Sequence, residues 1–345
     1  MLTPKDRLQK ALAQEEIDRP PCICPGGMMN MITRELMEKA GVGWPEAHRD
    51  ASLMAKLAAA VYEEKCFENY GVPFCMTIEA EHMGAKVDLG TDVYEPHVVG
   101  YAIDSVSAWE QLSPIDFSRG RAKVVLDAIK ILKAKGTKVP VVGNLTGPIS
   151  VASSLMEPVT YYKELRKKKE DARRFMEFVT AQLILFGRKQ LEAGADVIAI
   201  SDPSGTGEIL GPRLFAEYAV PAINQVLASL TQEKKGVGTI VHICGKMHNV
   251  YGEMAHITSN ALSFDSIVNI KNARENLPGR TLMGNVSTYA LEFAQPAKVA
   301  ALTKKCIMDG VGIISPACGL GTKSPLSNIR TMLGTVQGKD YWENV

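Results

Sequence analysis

The sequence lacks an excess of charge of either sign: Lys and Arg number 39 against 38 Asp and Glu, a formal net charge of +1. No global field therefore draws it to nucleic acid or to an anionic membrane. Its one dense basic run, Arg166-Lys167-Lys168-Lys169, sits between acidic residues on a polar helical stretch and is read as a solvated helix face. Long hydrophobic runs are missing as well, and nothing approaches the roughly 18 to 20 apolar residues that span a bilayer. In place of an apolar leader the N-terminus opens on a charged amphipathic stretch, so no secretory signal is read. These absences predict a soluble, cytoplasmic protein. In that compartment the seven cysteines stay reduced and become candidates for metal binding or catalysis rather than disulfides. A Pro/Ser/Gly-rich linker is also missing, and residues 1–345 are expected to form a single domain.

What is present is a repeated alternation of short apolar, β-branched runs with helical patterns, the signature of a parallel sheet with crossover helices. Eight runs are read, at residues 21–24, 72–76, 139–142, 197–200, 239–242, 261–264, 281–283 and 312–314. Between them lie segments such as 213–230 and 297–309, with apolar residues at helical spacing. Eight strand-then-helix units point to a closed (β/α)8 TIM barrel; an open doubly wound sheet fits the same alternation. Two insertions decorate it. A helix is predicted at 45–68 in the long first connection, and a β excursion at 86–99 turns at Gly90-Thr91-Asp92.

Active sites of such barrels gather at the C-terminal ends of the strands. Two ends stand out: Val241-His242-Ile243-Cys244-Gly245-Lys246 after the fifth run and Ser315-Pro316-Ala317-Cys318-Gly319-Leu320-Gly321 after the eighth. In an extended chain His242 and Cys244 project to the same side. With Cys318 they offer one imidazole and two thiolates, a set that suits Zn²⁺ and leaves a fourth tetrahedral position open. The fifth and eighth strands are not neighbours, so a shared ion must lie over the barrel mouth, and the glycine after each cysteine lets the backbone bend inward. Cys22-Ile23-Cys24 forms a rival pair with the same alternation. Cys66, Cys75 and Cys306 are read as core.

On these residues the chain resembles the uroporphyrinogen decarboxylase superfamily, and within it the methylcobalamin:coenzyme M methyltransferase branch (the MtaA/CmuA family). The resemblance runs over nearly the whole chain. It is carried by Thr3-Pro4-Lys5-Asp6-Arg7, Asp18-Arg19-Pro20-Pro21, Pro25-Gly26-Gly27-Met28-Met29, Glu79-Ala80-Glu81 with Gly84, and the His-x-Cys with a distant Cys. It implies that His242, Cys244 and Cys318 are the zinc ligands. Decarboxylases of the superfamily carry an arginine-rich segment after the first strand that engages substrate carboxylates. Residues 24–33 hold no arginine here, which disfavours that activity.

The branch resemblance further implies methyl transfer from a methylated corrinoid (methylcobalamin) to a zinc-activated thiol such as coenzyme M. No Asp-x-His-x-x-Gly signature of a cobalamin module is present, so the corrinoid is expected on a separate protein that docks at the barrel mouth. A non-catalytic paralogue that only binds the corrinoid protein is the alternative outside enzymology. Glu79, Glu81, Asn144, Asp202, Asp265 and Asn285, all read at strand ends, are expected to bind substrate or support the zinc ligands, with helix capping as their competing role. Asp265 is expected to orient His242 or to reach the metal. Met28 and Met29 are expected to line an apolar surface for the corrinoid, and Lys246 or Arg213 to face an anionic acceptor.

Overall fold

In the computed structural model, which describes residues 2–339, seven parallel strands curl in sequence order around one axis. They are β1 (Tyr70–Val72), β4 (Val141–Thr146), β5 (Val197–Ser201), β6 (Gly238–Ile243), β7 (Ala261–Phe264), β8 (Thr281–Val286) and β9 (Ile313–Pro316). The remaining two, β2 (Lys86–Asp88) and β3 (His97–Gly100), form the antiparallel excursion expected from the sequence, with Thr91 N–H bonded to Tyr94 O at its turn. The barrel strands are buried along nearly their whole length. β5, Val-Ile-Ala-Ile-Ser, is the clearest case, an unbroken buried run covered on one face by helices and on the other by the barrel interior.

The eighth stave is residues 21–24, and it is not a full strand. On one side it bridges Ile314 of β9 in parallel, through Ile23 N to Ile314 O and Ile314 N to Pro21 O. On the other side, one backbone bond, Glu68 N to Cys22 O at 2.9 Å, is supplemented by side chains. The Asn69 amide accepts from Cys24 N at 3.0 Å and donates to Cys24 O at 2.8 Å, while Glu68 accepts from Cys22 N at 3.0 Å. Thus the expected (β/α)8 barrel is present, closed at this seam by a single backbone bond together with a carboxamide and a carboxylate.

Several predicted boundaries shift for identifiable reasons. The second run ends at Val72 rather than 76, because Pro73 has no N–H to continue a ladder. The third begins after Pro140 and extends to Thr146, so that Asn144 lies inside β4 instead of beyond it; Asn285 likewise lies inside β8. The helix predicted at 45–68 is a short turn, Glu46–His48, followed by a helix at Ala51–Glu63. Asp50 makes the break by accepting from the N–H groups of Ser52 and Leu53 as N-cap. The stretch 213–230 is divided by a π turn at Phe215–Ala219. Among the described residues no helix is long and apolar enough to cross a membrane.

Candidate functional site

β6 carries His242 as its penultimate residue and releases the chain at Ile243, so that Cys244 stands at the barrel rim. β9 ends at Pro316, and Cys318 follows two residues later. The two glycines after the cysteines are required by the shape of this rim. Gly245 has φ +83°, a conformation that side chains rarely adopt, and a Cβ there would lie 2.6 Å from Thr206 Oγ1. Gly319 is constrained by proximity instead: its Cβ would lie 2.6 Å from Met28 O, because the 28–30 segment packs directly on this loop.

His242 Nε2 lies 3.1 Å from Cys244 Sγ, and Cys244 Sγ lies 3.5 Å from Cys318 Sγ; the three potential ligand atoms all fall within 4.8 Å of one another. Tetrahedral zinc with bonds of about 2.0 to 2.3 Å sets its ligand atoms roughly 3.5 to 3.8 Å apart. The spacing here fits such an ion with little movement, and the donor set, borderline nitrogen plus two soft sulfurs, is that of zinc. His242 is almost wholly buried, whereas the cysteines are partly open to the mouth.

The electrostatics of the pair agree with a shared role. The Cys318 thiol is pulled down to about 5, first by the hydrogen bond from Cys244 and then, against burial, by His242. Cys244 is pushed up as the donor of that bond, with burial and the neighbouring Asp265 carboxylate adding to the effect. Two thiols this close give up a first proton readily and hold the second, unless a cation replaces it.

The expectation that Asp265 orients His242 is corrected. His242 Nδ1 is 2.9 Å from Ser263 Oγ, one strand over on β7. Asp265 follows β7, where Oδ2 accepts from Gly245 N at 3.4 Å and Oδ1 accepts from Ile267 N at 3.1 Å. The reason is register: Ser263 stands directly opposite His242, whereas Asp265 lies beyond the strand end, beside Cys244. Ser263 was missed in the sequence because a serine inside an apolar run carries no signal of its own.

Most of the other expected residues have their polar side-chain atoms engaged by the scaffold, although Asp202 N donates to His242 O at 2.9 Å. Glu79 is fully buried in the helix Ile78–His82, where its carboxylate accepts from Thr146 N at 2.8 Å and Thr146 Oγ1 at 3.0 Å; burial raises it to about 7. Asp202 accepts from Ile149 N, Ser150 N and Ser150 Oγ, and burial raises it to about 6. Asn144 Nδ2 ties β4 to Pro25 O and Val72 O, and Asn285 Nδ2 donates to Asp265 O and Val268 O. Glu81 pairs with Arg121 at 2.6 Å. Met29 is buried with its sulfur 4.0 Å from Ser263 Oγ, behind the triad, while Met28 is half-buried. Lys246 and Glu208 form an ion pair at the rim.

The rival pair does not converge on anything. Cys22 and Cys24 are both fully buried, burial raises both thiols, and Cys24 Sγ donates to Met29 O at 3.0 Å. Cys66, Cys75 and Cys306 are buried as expected, and Cys75 also accepts from Arg121 Nη1 at 3.3 Å. A second residue missed in the sequence is Glu95, in the connection between β2 and β3. Burial and the nearby Cys75 and Cys318 sulfurs raise its carboxyl to about 8, against a hydrogen bond from Asn30.

In sequence and in fold the chain is similar to known proteins. The family model described as uroporphyrinogen decarboxylase (URO-D) matches residues 3–338. A methylcobamide:CoM methyltransferase MtbA of Methanosarcina acetivorans is 33% identical over 341 residues, covering 98% of this chain and 99% of the relative. A methylcobamide:CoM methyltransferase MtaA of Methanosarcina barkeri is 31% identical, covering 96% of each. Among solved structures, a methyltransferase from Methanosarcina mazei superposes with a TM-score of 0.90 at 31% identity, covering 98% of this chain and 99% of that one.

Proposed function

From the premise that the chain belongs to the uroporphyrinogen decarboxylase family, and is a methyltransferase within it, we propose that it transfers a methyl group from a corrinoid to a zinc-activated thiol. The observation that carries this reading is the meeting of His242, Cys244 and Cys318 from two non-adjacent strands at one point on the rim. The relatives' names supply the methyl donor, a methylcobamide, and an acceptor of the coenzyme M type.

His242 Nε2 and the two sulfurs would hold the zinc. Bound there, it supplies Lewis-acid stabilisation that keeps a substrate thiol in its nucleophilic thiolate form near neutral pH. The rest falls to the chain. Ser263 fixes the His242 ring so that Nε2 faces the cysteines. The two protein thiolates bring enough negative charge to leave an incoming sulfur electron-rich, which three imidazoles would do less well. Asp265, beside Cys244, braces the turn that follows this cysteine by accepting from Gly245 N–H. Half-buried Met28, on the segment against the Cys318 loop, offers an apolar wall to the donor. In this reading residues 1–345 work as one cytoplasmic catalytic unit. The corrinoid arrives on a partner protein that docks over the strand ends, where the two cysteines are partly exposed.

The experiment is a demethylation assay. With methylcobalamin and a small thiol, the zinc-loaded protein is expected to bleach the methyl-cobalt absorbance, to stop after chelation and to recover with Zn²⁺. Full activity in metal-free protein would overturn the proposal. Zinc binding without turnover, with every thiol and a corrinoid partner supplied, would favour the non-catalytic paralogue.

A further inference from the structure

At the same end of the barrel as the triad lies a cluster of polar side chains that the proposed chemistry does not use. Arg121 is in the first turn of the helix Gly120–Ala134, and Trp44 and His48 lie just ahead of the helix Ala51–Glu63. Helices of a (β/α)8 barrel run antiparallel to its strands. Both helix starts therefore sit at the same end as the strand termini that carry His242 and Cys318. Glu95 connects the two regions, being close enough to respond to both Cys75 and Cys318.

Arg121 is 5% exposed. Its Nε donates to Glu81 at 2.6 Å, Nη1 to Cys75 Sγ at 3.3 Å and Nη2 to Thr77 Oγ1 at 2.8 Å, which uses three of the five guanidinium N–H groups. His48 is 1% exposed and Trp44 4%, with ring centroids 5.1 Å apart. Trp44 Nε1 and both His48 ring nitrogens are buried with no partner among the described residues. Burial, followed by the charge of Arg121, holds the imidazole down to about 3, so it is neutral, with one N–H and one lone pair. Phe74, fully buried, closes the far side at 6.3 Å from the His48 ring.

Buried polar groups left without partners are rare and call for a specific explanation. Here the free groups are one-sided. Two guanidinium N–H groups, the indole N–H and the imidazole N–H are donors, against a single imidazole lone pair. A water molecule must donate as well as accept and is poorly matched to such a set. An oxygen-rich anion that only accepts is well matched, and a cation is excluded.

We propose that Trp44, His48 and Arg121 form an oxyanion subsite that receives the acidic tail of the thiol acceptor, a sulfonate or a carboxylate, while its sulfur is held at the triad. This rests on the methyl-transfer reading for the identity of the ligand but not for the existence of the subsite. It replaces the expectation that Lys246 or Arg213 supplies the charge, since Lys246 is an exposed residue already paired with Glu208.

Calorimetry on the zinc-loaded protein compares 2-mercaptoethanesulfonate, 3-mercaptopropionate and 2-mercaptoethanol, three thiols of similar length that differ at the tail. The wild type is expected to prefer an anionic thiol over the neutral one by about tenfold or more, the range of a charge-assisted hydrogen bond. Which of the two anionic thiols binds more tightly identifies the tail. Arg121→Met is expected to bring the preference close to one. Trp44→Phe, which removes only the indole N–H and keeps an aromatic ring, is expected to reduce it about threefold to fivefold. Trp44→Phe keeps the test decisive if loss of the Glu81 partner unfolds the arginine variant. No preference in the wild type, or a preference unchanged in both variants at equal zinc content, would overturn the subsite. Arg121-dependent binding without any methylcobalamin demethylation would instead overturn the transfer reading and leave the subsite standing.

Discussion

The rim of the barrel has two sides built from similar residues that behave differently. On the β4/β5 side stand Glu79, Asn144 and Asp202, buried acids and an amide at or near strand ends, and the hydrogen bonds they make run to the protein's own backbone and hydroxyls. On the β6/β9 side His242, Cys244 and Cys318 turn toward one another, and His242 Nδ1 is held from behind by Ser263. Position at a strand end is therefore not the mark of a functional residue in this molecule. What separates the sides is what the side chains engage: the Glu79 and Asp202 carboxylates and the Asn144 Nδ2 are bonded to the scaffold on one, while the ligand atoms face a common point on the other.

The sharpest test of that contrast is Cys318→Ala. It removes one of the three ligand atoms that meet at the rim, and zinc content after dialysis is expected to fall from one per chain to near zero. Far-ultraviolet circular dichroism should stay that of the wild type, because the residue lies on a rim loop. Retention of wild-type zinc would erase the distinction between the sides.

The opposite pattern is expected of Asp202→Ala. Removing its carboxylate strands Ile149 N, Ser150 N and Ser150 Oγ in a buried site, and two or three orphaned donors cost about 4 kcal/mol. Urea denaturation should show the loss, while zinc content per folded chain stays at one. If zinc were lost from chains that remain folded, Asp202 would belong to the other side.

The sequence made the triad legible because its signal is chemical. Histidine and cysteine at the ends of β6 and β9, with period-two alternation placing His242 and Cys244 on one side, identify a site without knowledge of packing. The barrel was legible through its apolar runs, although the closing stave at 21–24 could not have been seen to be sealed by Asn69 and Glu68, since pairing through side chains leaves no periodic trace. What stayed hidden was satisfaction. Nothing in Asp202 announces that Ser150 will occupy it, and nothing in Trp44 or His48 announces that neither will find a partner. Those facts depend on the path of segments distant in the chain.

Glu79 provides a pH test of the scaffold side. Burial raises its folded-state pKa to about 7 from the ordinary 4.5, so the folded protein disfavours the ionised form. Stability from this group is intact below about pH 4.5, is lost as pH rises toward 7 and changes no further above that. At 1.36 kcal/mol per unit the loss is on the order of 3 kcal/mol. In Glu79→Gln the amide oxygen still accepts from Thr146, and that decline is expected to vanish from melting temperatures measured between pH 5 and 8. A wild-type curve that is flat over this window would show that the two Thr146 donors fully offset the burial.

Ser263→Ala carries the smallest effect and divides the two sides most finely, because Ser263 is a scaffold group that reaches into the triad. Its hydroxyl is uncharged, and without it the His242 ring is still confined by the packing around a residue only 1% exposed, so that Nε2 can still be presented to the cysteines. Loss of the anchor nonetheless lets the tautomer and ring angle vary, and such losses weaken metal binding about 10-fold to 100-fold. Competition with a chromogenic chelator would read this directly, with Asp265→Ala measured in parallel. The geometry predicts the larger loss of His242 ordering in the serine variant, seen as broadened imidazole proton resonances, since Ser263 and not Asp265 meets Nδ1. The reverse ranking would mean that Asp265 swings from Gly245 to the ring once zinc is bound, which would return it to the orienting role the sequence first suggested.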